Sequence, residues 1–135
     1  MKNFLQAMLL LAFTPPMGTA QNSKQYLDCS HSAQTQTAMN ACADQEFARA
    51  DAALTSTYHA LLAKTAHQPD TSAKIKSAQR AWLLYRDAYL EAMFPAADKP
   101  TEYGSMYAMQ LALLRAKLTR WQTAALKDLL RQHDH

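Results

Sequence analysis

Met39-Asn40-Ala41-Cys42-Ala43-Asp44-Gln45-Glu46-Phe47-Ala48-Arg49-Ala50-Asp51-Ala52-Ala53-Leu54-Thr55-Ser56-Thr57-Tyr58-His59-Ala60-Leu61 is the stretch that decides the fold class. Met39, Cys42, Phe47, Ala50, Leu54, Tyr58 and Leu61 step mostly by three and four, the period of a helix with one apolar face. The spacing predicts a helix from about Ser32 or Thr35 to Ala66, ended by Gln68-Pro69-Asp70. Pro69 disfavours helical geometry at Gln68, and Asp70 or Thr71 can cap the helix that follows.

Downstream, Ile75, Ala78, Trp82, Tyr85, Tyr89 and Met93 make the expected buried stripe of a second helix over roughly 71–93. Pro95 and Pro100 bracket a loop that holds Asp98, Lys99 and Gly104. A third helix should start near Ser105 and reach about Leu130, with Tyr107, Leu111, Leu114, Leu118, Trp121, Ala125 and Leu129 as its stripe. The final Arg131-Gln132-His133-Asp134-His135 is expected to fray. Composition agrees with this reading. Valine is absent, Ile75 is the single isoleucine, and glycine occurs twice. A sheet needs β-branched residues and turn glycines, so the chain reads as all-α, a small bundle of three main helices in one domain.

At the other end, Lys2 precedes an apolar run from Phe4 to Phe13, followed by Pro15, Pro16 and Gly18-Thr19-Ala20. That is the three-part pattern of a cleavable signal peptide. The run is roughly ten residues, against the ~20 needed to span a bilayer. Cleavage is expected after Ala20, which leaves residues 21–135 as a periplasmic or secreted domain with no stable membrane insertion. Cys29 and Cys42 are the two cysteines, and in an oxidising compartment such a pair reads as a disulfide. Without Lys2 the basic count falls from 14 to 13 against 11 acids, a net charge near +2. That charge is too weak and dispersed to argue for nucleic acid.

Chemistry is sparse. A hydrolase needs a nucleophile with its base, or paired carboxylates at a set distance. The five histidines lie mostly near helix ends or in the tail, so no catalytic set, metal site or cofactor is expected. The dense segment is Ala78-Gln79-Arg80-Ala81-Trp82-Leu83-Leu84-Tyr85-Arg86-Asp87-Ala88. Trp82 and Tyr85 should point inward, with Arg80, Arg86 and Asp87 alongside. A guanidinium beside a core stripe wants a carboxylate. Asp51, next to the first helix's stripe, is the expected partner of Arg80 or Arg86. The alternative is that Asp51, Gln79, Arg80, Trp82, Arg86 and Asp87 form an exposed recognition patch.

An ordered set of these residues resembles the LprI-type family, small exported bacterial proteins named after a lysozyme inhibitor. The set comprises Cys29, then Thr37-Ala38-Met39-Asn40-Ala41-Cys42-Ala43, then Phe47, Ala50-Asp51, Leu54 and Tyr58. Ala78-Gln79-Arg80-Ala81-Trp82-Leu83 with Tyr85-Arg86-Asp87-Ala88 is the strongest piece, and Gly104-Ser105-Met106-Tyr107 and Leu118-Thr119-Arg120 complete it. Members often carry a further cysteine pair; here Tyr89 and Met109 stand at those places. The resemblance therefore implies one bridge, Cys29 to Cys42. It also implies a helical, non-enzymatic periplasmic protein that binds a protein partner such as a lysozyme (muramidase). On that reading the 92–104 loop is the candidate for insertion into a lysozyme cleft, with Lys99 meeting a carboxylate there. Animal-type lysozymes are basic, so long-range steering toward this weakly basic chain would be absent or slightly repulsive. The competing reading is an immunity or envelope-stress module that binds another envelope protein without inhibiting lysozyme.

Overall fold

The computed structural model describes residues 21–134; the signal-peptide reading falls outside the described residues. All regular structure within them is helical. The helices are α1 (Lys24–Ser32), α2 (Gln36–Lys64), α3 (Pro69–Met93), a short α4 (Lys99–Tyr103) and α5 (Tyr107–Gln132), with a 3₁₀ turn at Gly104–Met106. The three long helices are the three read from the sequence. α1 and α4 were not, since each is too short or too polar to show a period.

Local chemistry sets the boundaries. Thr35 caps α2 by accepting from the Ala38 amide at 3.1 Å, and Ser23 caps α1 by accepting from the Tyr26 amide at 3.1 Å. α3 begins on Pro69 itself, with Gln68 at the cap position and no side-chain cap. Proline lacks only an amide that a helix start leaves unpaired anyway. The turn before it is held by the buried Thr65, whose carbonyl accepts from the Ser72 hydroxyl at 2.8 Å. Gly104, at φ +69°, turns the chain from α4 toward α5 in a region that other residues enter at a cost.

α2 and α5 form the centre of the molecule and pack most extensively on each other. Ala43 meets Ala112 in one apolar cluster, and Leu54 and Leu61 meet Leu126 in another. Low-numbered residues meet low and high meet high, so the two helices run parallel and α3 returns between them. α1 covers the first cluster with Tyr26 and the Cys29–Cys42 disulfide. α3 covers the second with Ile75 and Trp82.

The stripes of α3 and α5 are rotated from the expected ones. On α3, Ile75, Gln79 and Leu90 are buried, while Ala78, Tyr85 and Met93 are exposed. On α5, Ala112, Ala116, Leu118, Thr119, Thr123 and Leu126 are buried, while Trp121 and Ala125 are exposed. The reason is side-chain size. Small residues let two helix backbones approach closely, so the tightest seam carries alanine and threonine rather than the bulkiest apolar residues. Thr123 is tolerated there because its hydroxyl donates to the Thr119 carbonyl at 3.0 Å. The C-terminal tail is also more ordered than expected: α5 continues through Gln132, and Asp134 pairs with Lys64 at 3.0 Å.

Candidate functional site

The expected lock between Asp51 and an arginine of the second helix is not formed. Asp51 and Arg80 are both exposed, and the pairing available to Arg86 is its neighbour Asp87, at 3.0 Å. The rotation of α3 explains this, because it turns Arg80 to solvent. Gln79 is drawn inward and accepts from the Gln122 amide nitrogen at 3.0 Å, linking α3 to α5. Trp82 is half-buried with the Arg86 guanidinium 5.3 Å from its ring centre. The six residues are thus divided. Gln79, Trp82 and Arg86 support the α3 packing, while Asp51, Arg80 and Asp87 face water.

The carboxylate that does lock helices is Glu46, and it was missed. It is 1% exposed, near the middle of α2. Oε1 accepts from the Ser23 amide at 2.7 Å and from Arg120 Nη1 at 2.9 Å. Oε2 accepts from the Ser23 hydroxyl and from Arg49 Nη2, the latter at 2.9 Å. Arg120 also donates to the Asn22 side-chain oxygen at 3.3 Å. One carboxylate thus ties the segment before α1 and the middle of α5 to α2. Burial alone would raise the Glu46 carboxyl. The bonds from Ser23 and Arg49 and the charge of Arg120 outweigh it and hold the group below its usual range. Nearby Tyr26 is raised, first by burial and then by the Glu46 charge. The signal was present in the sequence: Glu46 lies four residues from Cys42 and four from Ala50, on the same helical row.

Outward from α3 lies an apolar surface. Leu84 is 74% exposed and Tyr85 58%, with Leu83 beside them and Arg80 and Asp87 flanking. Large side chains this exposed on one helix are unusual for a free surface and mark a place where a partner can bury them. At the end of α3, Phe94 packs edge-on against Tyr103 (5.3 Å) and Tyr107 (5.1 Å). The Tyr103 hydroxyl accepts from the Ala96 amide at 3.1 Å. Lys99, the expected inserting charge, is engaged within the chain: it pairs with Glu91 at 2.9 Å and donates to the Ala96 carbonyl. Among the described residues no group of three or more His, Cys, Asp or Glu side chains is placed to hold a metal ion. No helix there is long and apolar enough to cross a membrane.

Compared with known proteins, the chain matches the family model described as lysozyme inhibitor LprI over residues 28–126. The chain belongs to the LprI family. The matched span runs from α1 into the last turns of α5, so it contains the disulfide, Glu46, Arg120 and the whole of α3. The family is described as one of lysozyme inhibitors, and it implies a protein partner. The chain is also 38% identical over 134 residues, 90% of each chain, to a protein of Rhizobium meliloti (strain 1021) described as uncharacterized. No solved structure matches it.

Proposed function

We propose that this protein is a periplasmic binding protein that inhibits a lysozyme-like muramidase and so protects the cell wall. The observation that carries the proposal is the family match over residues 28–126. The signal-peptide pattern of residues 1–20 and the Cys29–Cys42 bridge support an oxidising compartment.

The docking face is the outer surface of α3, centred on Leu84 and Tyr85. Its large side chains are already held out by a rigid helix, so burying them costs little ordering entropy. Arg80 is exposed beside them, with no ion pair among the described residues, and can meet an acidic group of the enzyme. Lys99 is tied to Glu91 and plays a lesser part than the sequence suggested. The competing reading, an immunity or envelope-stress module, uses the same face for a different partner.

A wall-clearing assay with several lysozyme types tests the proposal. The purified protein should slow clearing at a molar excess, and Leu84→Glu should abolish the effect while the helical signal stays intact. No slowing with any lysozyme sinks the inhibitory reading. If slowing survives Leu84→Glu, inhibition stands but the α3 face is wrong.

A further inference from the structure

A cleft of about 320 Å³ separates the C-terminal half of α3 from the N-terminal half of α5. Leu90, Leu111 and Tyr107 line it together with Arg86 and Arg115. Four arginines of the chain, Arg49, Arg86, Arg115 and Arg120, are half-buried. Arg49 and Arg120 share Glu46, and Arg86 has Asp87. Arg115 alone of the four has no carboxylate partner among the described residues. Its Nε is buried with no hydrogen-bond partner, and its guanidinium lies 5.2 Å from the Phe47 ring centre. Arg120 also leaves its Nε unpaired, but its terminal nitrogens are taken by Glu46 and Asn22. A half-buried guanidinium near an aromatic ring, on the lining of a cleft and with no carboxylate beside it, is short of one anion.

We propose that this cleft binds a single carboxylate carried on a short apolar body, the chemistry a peptide presents at its C-terminus. Arg115 receives the carboxylate, and Leu90 and Leu111 receive the neighbouring side chain. The charge balance selects a monoanion. Asp87 and Glu91 also line the cleft, and each is already neutralised, by Arg86 and by Lys99. The uncompensated charge is the single positive charge of Arg115, which one carboxylate balances and a phosphate dianion would exceed. The volume lies at the small end of ligand sites and suits one or two residues. The proposal needs only the residues of this cleft and does not depend on lysozyme inhibition.

The test is an NMR titration that follows the arginine Nε–H resonances, using N-acetyl-alanyl-alanine, its C-terminal amide, and acetate. The acid should shift the Arg115 resonance saturably, the amide should not, and acetate should bind more weakly. Arg115→Gln should weaken binding of the acid about tenfold or more, the value of one charged hydrogen bond. Arg80→Gln should leave it unchanged. Equal shifts with acid and amide, or no saturable shift, overturn the proposal without any variant, so a misfolded Arg115→Gln does not shield it. Acetate binding as tightly as the peptide overturns the apolar half.

Discussion

Replacing Glu46 by glutamine keeps the side-chain volume and removes the charge on which five donors converge. The amide retains one acceptor oxygen and turns an NH₂ toward groups that are themselves donors. Removing one partner of a buried pair costs about 3–5 kcal/mol, because the other charge is left without its counter-ion. The side chain of Glu46 is 2% exposed and that of Arg120 19%, so the pair qualifies. Arg49 is 37% exposed and can return to water, which places the expected cost near the lower end, about 3 kcal/mol. For a domain of this size that is a fall in Tm of about 12 °C. Urea unfolding followed by circular dichroism at pH 7 measures it.

The pH dependence is a second check on the same substitution. The Glu46 carboxyl is lowered in the folded state. Its stabilising contribution is therefore full above the unfolded value of about 4.3 and is lost as pH falls through the lowered folded value. The gap between wild type and Glu46→Gln should be flat near neutrality and should close in acid. A loss below about 1 kcal/mol at pH 7, the worth of an exposed pair, would refute the assignment of Glu46 as the helix lock. So would a gap that widens as pH falls.

Three further outcomes are expected. Reducing the Cys29–Cys42 bridge, or replacing both cysteines by serine, should cost about 3 kcal/mol, and hydrogen exchange should show α1 loosened before α2 or α5. Ala116→Leu, at a position with 0% exposure, should destabilise by at least about 1–3 kcal/mol by forcing the α2–α5 seam apart, read from the urea midpoint. Arg80→Ala should change stability by no more than about 0.5 kcal/mol, as at an ordinary surface position. A large loss there would mean that Arg80 carries packing the structure does not show.

How much of this was legible beforehand depended on the kind of signal. The helical class and the three long helices rest on local pattern and were readable, while the start of α2 was left between Ser32 and Thr35 and the cap at Thr35 decides it. α1 was not, because Tyr26 is its one buried side chain and a single apolar residue has no period. The buried faces of α3 and α5 were misjudged by reading the largest apolar residues as the most buried. Trp121 shows the failure well: it is 46% exposed, with Lys117 lying 4.9 Å from its ring centre. The ion pair was expected in kind but placed on the wrong residues.

By itself, then, the sequence determined that this chain is helical, where its long helices lie, and that Cys29 and Cys42 are the cysteines available to bridge. Those properties follow from spacing along one chain. Only the tertiary structure decided that alanine and threonine of α5 are buried where Trp121 is not, that Glu46 rather than Asp51 joins the helices, and that Leu84 and Tyr85 face outward. A helix's period defines an apolar arc, not its centre. The centre is fixed by how closely the neighbouring backbone can approach, and that distance depends on side chains far away in sequence.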